Sequence, residues 1–183
     1  MSFPPEDITE IVTQIASILR ERNQTLAISE AACGGLISAY IVSVPGASNF
    51  YIGGKLVYSL KQRLKLSGWS DSEISNYMGP SEQVALKLAR TAKYELGSTY
   101  VLSETGFAGP STGIVIPNGK EDEEQESDEV GTVYIGLSGP NGEASTSNST
   151  GSHDRAKNMS EFAKLGLSFL LEQLQKTDEK DSR

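Results

Sequence analysis

The sequence is poor in the residues that build disulfide frameworks and metal centres. Its 183 residues include one cysteine, Cys33, and one histidine, His153. A single cysteine cannot form an intramolecular disulfide, which favours a reducing compartment. Zinc sites take three or four histidine, cysteine or carboxylate ligands. The sequence therefore predicts a protein that works without a metal and without another cofactor.

Positive charge and long apolar runs are also scarce. The formal net charge of -8 argues against a nucleic-acid or membrane-surface binder, because such proteins present a basic patch. No apolar run approaches the length of a membrane span, and the N-terminus lacks the basic and then apolar pattern of a secretory signal. We therefore expect a cytoplasmic protein with neither nucleic acid nor membrane as a partner, and a mitochondrial or nuclear location is the less favoured alternative.

The residues that are present predict one globular domain. A hydrophobic content of 37% and 18 glycines are typical of soluble folded proteins. The length fits a single domain over residues 1–176, followed by a charged tail over 177–183 that we expect to be disordered. Acidic residues crowd the end of an aperiodic stretch, which predicts a mobile acidic loop over 118–129.

Apolar periodicity and turn signals predict alternating strands and helices. Helices are predicted over 8–19, 36–44, 70–78, 81–96 and 154–174. Strands are predicted over 24–29, up to Tyr58, and over 99–103, 130–137 and 143–149. A glycine- and proline-containing turn over 139–142 makes the last two strands a hairpin. This pattern predicts an α/β fold, a three-layer α/β/α sandwich with a mixed central sheet.

The stretch over 45–65 carries several polar groups that could serve chemistry. Ser48 lies in a turn, Tyr58 ends the next strand, and Lys61, Arg63 and Lys65 follow. A hydroxyl, a phenol and a cationic cluster can form a nucleophile with an activator other than histidine. The alternatives are a turn serine, an aromatic residue of the strand, and solvated charges.

Three loops follow or join predicted strands and could form a site together. They span residues 30–35, 45–50 and 105–110, and two of them are rich in glycine. In α/β sheets, ligands bind beyond the carboxyl ends of the strands, where such loops lie. Each loop alone is weak evidence, since glycine-rich turns are common after strands.

Taken together, these loops resemble the CinA C-terminal domain family, whose characterised members are nicotinamide-nucleotide amidohydrolases. The matching motifs run from about residue 8 to residue 174. They are A-I-S-E followed by G-G-L, V-P-G-A-S, V-Y-S, T-G with A-G-P, and G-T-V. The resemblance implies an α/β/α fold, a homodimer, and a small-molecule nucleotide as substrate or ligand.

The resemblance also implies roles for individual residues. Ser48 matches the serine of the P-G-S-S turn, interpreted as the nucleophile, and Tyr58 matches a tyrosine of the site. A lysine five residues after that tyrosine is the general base of the family, and Arg63 stands there in this chain. Substrate-binding positions carried over in the same way are Glu30, Cys33, Gly34, Gly35, Thr105, Gly106, Ala108, Gly109 and His153.

Several of these positions depart from the family pattern. A guanidinium stays protonated at any pH the protein meets, so Arg63 can orient an anion but cannot act as the base. The motif E-S-C-T-G-G reads E-A-A-C-G-G here, which removes two hydroxyl groups. The family sequence G-D-R with a later arginine becomes G-S-H with Lys157. His153 as a replacement base is the less favoured interpretation of that residue, and Cys33 as a reactive thiol is less favoured than Cys33 as a packing residue.

Two functions follow from the sequence. The first is hydrolysis of the carboxamide of nicotinamide mononucleotide to nicotinic acid mononucleotide and ammonia, with Ser48 as nucleophile and backbone amides of the glycine turns as oxyanion donors. The second is a catalytically impaired homologue that keeps the pocket for binding a nucleotide or a partner. The change to Arg63 favours the second, and the retained Ser48 and Tyr58 favour the first.

Overall fold

The chain folds into a five-stranded mixed sheet with helices on both faces. The structure is a computed structural model, and it describes residues 2–59, 65–66, 68–77, 79–112 and 129–181. Its strands are β1 (Leu26–Glu30), β2 (Tyr51–Leu56), β3 (Tyr100–Gly106), β4 (Thr132–Gly139) and β5 (Gly142–Ser149). Its helices are α1 (Glu6–Glu21), α2 (Leu36–Val42), α3 (Asp71–Ser75), α4 (Glu82–Leu96) and α5 (Arg155–Asp181).

The sheet has the strand order β2-β1-β3-β4-β5. Strands β2, β1 and β3 are parallel, whereas β4 is antiparallel to both β3 and β5. The predicted mixed sheet and the predicted hairpin are therefore confirmed. Because β2 and β3 lie on opposite sides of β1, the strand order reverses at β1, where α/β proteins commonly bind ligands.

Each face of the sheet carries its own apolar layer. On one face, the apolar stripe of α1 packs with α2, α5 and side chains such as Ile28 and Leu102 from the strands. On the other face, α4 packs its small residues against β1 and β3, with Val57 and Leu88 in a smaller neighbouring cluster. The three-layer α/β/α prediction is thus confirmed.

Local sequence signals explain where α4 begins and ends. The Ser81 hydroxyl accepts a hydrogen bond from the amide of Val84 at 3.1 Å, which caps the first turn. Gly97 follows the last turn with a φ of 69°, a left-handed conformation that suits glycine. Both features agree with the sequence prediction for this helix.

Some predicted boundaries differ from those in the structure. Strand β2 ends at Leu56, so Tyr58 lies two residues beyond it. Helix α5 continues to Asp181, so the tail predicted to be disordered over 177–183 is helical as far as residue 181. The described residues do not include Lys61, Arg63 or residues 113–128. Most of the predicted acidic loop over 118–129 therefore lies outside them.

Candidate functional site

A cavity of about 430 Å³ opens at the carboxyl ends of the parallel strands. Its volume is within the range of small-molecule sites. Ala31 and Ala32 line it from the end of β1, Tyr58 and Ser59 from beyond β2, residues 106–112 from the end of β3 and the loop after it, and Arg155 from the start of α5. The loops after all three parallel strands therefore meet at the point where the strand order reverses.

The turn after β1 is held in place by a buried carboxylate from β3. Glu104 is fully buried, and its Oε1 accepts hydrogen bonds from the amides of Ala31 at 2.6 Å and Cys33 at 2.9 Å. Its Oε2 is buried without a hydrogen-bond partner. Burial raises the pKa of Glu104 to about 7, and the hydrogen bonds from these amides oppose that rise. The carboxyl group therefore titrates near neutral pH.

These contacts leave the amides of the turn little capacity to act as oxyanion donors. The amides of Ala31 and Cys33 donate to Glu104, and the Gly34 amide donates to the Ala31 carbonyl at 3.3 Å. The Leu36 amide donates to the Cys33 carbonyl at 3.2 Å. The expectation that this glycine turn presents its amides to a substrate is therefore not met at these four positions.

Glu30 binds the first residues of α2, which follow the same turn, and does not line the cavity. Its carboxylate accepts hydrogen bonds from the amides of Ile37 at 2.8 Å and Ser38 at 3.0 Å, and from the Ser38 hydroxyl at 2.6 Å. These contacts satisfy free amides at the N-terminus of α2. In this structure Glu30 contacts the scaffold of the site.

Cys33, Gly34 and Gly35 complete the turn without lining the cavity. The thiol of Cys33 is buried and donates to the Met159 carbonyl at 3.8 Å. Burial, with the nearby charges of Glu104 and Glu30, raises the thiol pKa well above its ordinary value. A thiol in this environment stays protonated, which agrees with the packing interpretation of Cys33 and not with a reactive thiolate.

The wall formed by the end of β3 includes three of the predicted binding positions. Gly106, Ala108 and Gly109 line the cavity, whereas Thr105 is fully buried within β3 and does not. A Cβ atom on Gly106 would lie 2.4 Å from the Thr132 carbonyl oxygen, so this close approach of two strands requires glycine.

Tyr58 and Arg155 join opposite walls of the cavity. The Arg155 guanidinium donates one hydrogen bond to the Tyr58 Oη at 2.5 Å and another to the Gly109 carbonyl at 2.6 Å. Tyr58 is more than half exposed, at 57%. The two side chains and the loop after β3 thus form one connected polar edge of the cavity.

Ser48 lies at the other end of the sheet. It sits in the short 3-10 helix Ala47–Asn49 before β2, and the carbonyl of neighbouring Phe50 accepts a hydrogen bond from the Leu26 amide at the start of β1. Strand β2 then runs for six residues before the cavity, so at about 3.3 Å per residue Ser48 and Tyr58 are separated by roughly 20 Å. Within one chain, the structure does not bring these two residues together.

His153 also lies outside the cavity, with an exposed side chain. Its backbone is close to the loop after β3, where its carbonyl oxygen would lie 3.3 Å from a Cβ atom on Gly109. No group of three or more potential metal ligands occurs among the residues that the structure describes.

Three functional candidates were missed by the sequence prediction: Glu104, Arg155 and Asn158. Asn158 is fully buried on α5, where its amide nitrogen donates to the carbonyls of Ala108 at 2.9 Å and Ser152 at 2.8 Å. It therefore ties the loop after β3 to the start of α5. For Glu104, the signal in the sequence is its position directly after the buried strand segment T-Y-V-L-S, because a carboxylate residue is seldom fully buried.

Comparison with known proteins agrees with this fold. The family model of the CinA C-terminal domain matches residues 8–174 of the sequence. The chain belongs to the CinA C-terminal domain family. Its relatives include a CinA-like protein of Synechocystis sp., 36% identical over 141 residues, which cover 76% of this chain and 31% of that protein. Another is a CinA-like protein of Myxococcus xanthus, 36% identical over 126 residues, which cover 69% and 27%. The chain thus spans about a third of the length of the curated relatives it matches.

Solved structures of the CinA family share the whole architecture. A competence/damage inducible protein of Agrobacterium tumefaciens has a TM-score of 0.80 at 23% identity, over 96% of this chain and 99% of that one. A CinA superfamily protein of Enterobacter cloacae has a TM-score of 0.77 at 19% identity, over 91% and 92%. At these identities the likeness concerns the fold. Among the described residues, no helix is long and apolar enough to span a membrane.

Proposed function

We propose that this CinA-family chain binds a nicotinamide nucleotide in the cavity and is impaired in hydrolysing it. Family resemblance supports the choice of ligand, and the cavity at the carboxyl ends of β1, β2 and β3 supports its location. The observation that carries the proposal is the lining of that cavity. Its described residues include only two titratable side chains, Tyr58 and Arg155.

Hydrolysis of an amide requires a nucleophile and a group that accepts its proton. The guanidinium of Arg155 has no acceptor site for a proton, and the Tyr58 Oη already accepts the hydrogen bond that this guanidinium donates. Ala31 and Ala32 stand on the cavity wall at the two positions where the family motif carries a hydroxyl and a thiol. At the position of the family lysine, this chain has Arg63. Each of these differences removes a chemical group that hydrolysis could use.

Hydrolysis is the second candidate function, and the hydroxyl of Ser59 favours it. Ser59 lines the cavity directly after Tyr58, which makes it better placed than Ser48 to attack a bound carboxamide. Ser48 itself could reach a cavity only in a homodimer, from a second copy of the chain. In either case Arg155 would supply positive charge beside the developing oxyanion.

Ammonia release from nicotinamide mononucleotide separates these functions. We expect the purified protein to bind the nucleotide without measurable turnover. The double variant Ala31→Ser with Arg63→Lys restores a hydroxyl on the cavity wall and an amine at the family position, so we expect it to gain turnover. Turnover by the natural protein that is lost in Ser59→Ala or Ser48→Ala would instead establish hydrolysis and identify the serine.

A further inference from the structure

We propose that Arg155 binds the anionic group of the ligand and that the turn after β1 does not. This inference rests on the proposed nucleotide-binding function and deepens it, since the anionic group would be the phosphate monoester of the nucleotide. Arg155 does not stand at either arginine position of the family motif, which His153 and Lys157 occupy here, so the subsite is a property of this chain.

The first support is the position of the guanidinium. Arg155 is the one cationic side chain among the described residues that line the cavity. Its two hydrogen bonds, to the Tyr58 Oη and the Gly109 carbonyl, come from different terminal nitrogens and fix the plane of the group between two walls. An arginine has five N–H donors, so others are available for a bidentate contact with a phosphate.

The second support is that the turn after β1, the other possible anion site, already has an acceptor for its amides. Successive amides at a strand-to-helix turn ordinarily attract a phosphate. Here the amides of Ala31 and Cys33 instead donate to the carboxylate of Glu104, at 2.6 and 2.9 Å. A second anion at the same turn would be repelled by that carboxylate whenever it is ionised. The cationic edge of the cavity is therefore the favourable place for the phosphate.

Hydroxyl groups complete the proposed subsite. Ser111 and Thr112 line the same cavity as Arg155, in the loop that also supplies Gly109. Hydroxyl and guanidinium donors together are a common way to bind phosphate. Because the Arg155 side chain is exposed, solvent and salt weaken the attraction, and we expect a contribution of about tenfold in affinity.

Calorimetric titrations with three probes test the inference: nicotinamide mononucleotide, the phosphate-free nicotinamide riboside, and inorganic phosphate. In Arg155→Met we expect the mononucleotide to lose about tenfold in affinity and phosphate binding to disappear, while riboside binding changes less than twofold. Arg155→Lys should give an intermediate loss, since it keeps the charge but not the fork of donors. Arg90→Met, which removes an exposed arginine paired with Glu143 on the outer surface, is the matched control and should change nothing.

Tyr58→Phe distinguishes binding from mere support of the cavity. In this variant the guanidinium keeps its charge and its contact with the Gly109 carbonyl but loses one of the two contacts that fix its plane. We therefore expect a loss of phosphate affinity that is smaller than in Arg155→Met, with no change for the riboside. If Arg155 served only to hold the walls together, Tyr58→Phe and Arg155→Met would weaken all three probes alike, which would overturn the inference. Equal phosphate binding by Arg155→Met and the natural protein, or no phosphate binding by the natural protein, would also overturn it. Phosphate binding that depends on Arg155, without binding of either nicotinamide compound, would uphold the subsite and reject the proposed ligand.

Discussion

The buried carboxyl group of Glu104 makes a specific prediction about the pH dependence of stability. Its pKa of about 7 in the folded protein compares with an ordinary value of 4.5. Because the folded pKa is the higher one, the folded protein holds the proton more tightly than the unfolded chain. The stability that this proton contributes is complete below about pH 4.5 and is lost as the pH rises to about 7. At about 1.4 kcal/mol per pH unit, the full change is roughly 3 kcal/mol.

Glu104→Gln tests this reasoning because glutamine has nearly the same shape and does not titrate. Its side-chain carbonyl can accept the hydrogen bonds from the Ala31 and Cys33 amides, and its NH₂ group takes the place of Oε2, which lacks a partner. That unpaired group costs the variant the same free energy at every pH. The difference in unfolding free energy between the two proteins should therefore shift by roughly 3 kcal/mol in favour of the variant between pH 4.5 and pH 8.

The assay is urea unfolding of both proteins at half-unit pH steps, with the difference taken at each pH. Taking the difference cancels the titration of all other groups that the substitution leaves unchanged. Glu143→Gln is the control with the opposite sign, because the hydrogen bond from Arg90 lowers the pKa of Glu143. The stability that Glu143 contributes is lost as the pH falls, and at an exposed pair the effect should be below about 1 kcal/mol. A flat difference curve for Glu104→Gln would refute the assignment of a near-neutral carboxyl group.

Three further substitutions test the fold that positions the cavity, each by the midpoint of urea unfolding. Ser81→Ala removes the cap on the Val84 amide and should cost about 1 kcal/mol; an unchanged midpoint would contradict the cap. Gly106→Ala forces a Cβ atom against the Thr132 carbonyl and should cost about 1–3 kcal/mol, whereas a loss below about 0.5 kcal/mol would mean that the strands separate easily. Phe162→Ala empties a fully buried position of α5 and should cost about 3–5 kcal/mol; a small effect would show that the core relaxes around the space.

Much of the fold can be predicted from residues that favour a particular local structure, such as helix caps and turn residues. Ser81 and Gly97 bracket α4 because a hydroxyl cap and a left-handed residue are local requirements of helix ends. The turn over 139–142 joins β4 and β5 because its glycine and proline residues favour a tight turn. Helix α5 exceeds its predicted end because its last turns carry polar residues, for which apolar periodicity gives no signal.

The key contacts around the cavity cannot be predicted from local rules because they join residues distant in the chain. Glu104 reaches Ala31 across 73 positions, and Arg155 reaches Tyr58 across 97. Ser48 and Tyr58 are predicted to share a site because they are close in sequence and because each matches a residue of the family site. A strand carries the chain from one end of the sheet to the other, so residues on either side of β2 cannot meet within the same chain.

Binding of nicotinamide mononucleotide to a cavity-filling variant tests the central claim most directly. Calorimetric titration of the natural protein should give one site per chain. Ala31→Leu places a larger side chain on the cavity wall and should abolish binding, while Tyr94→Leu, a change at an α4 side chain that is 92% exposed, should leave the affinity within twofold. Undiminished binding by Ala31→Leu, or loss of binding only in Tyr94→Leu, would contradict the location of the site.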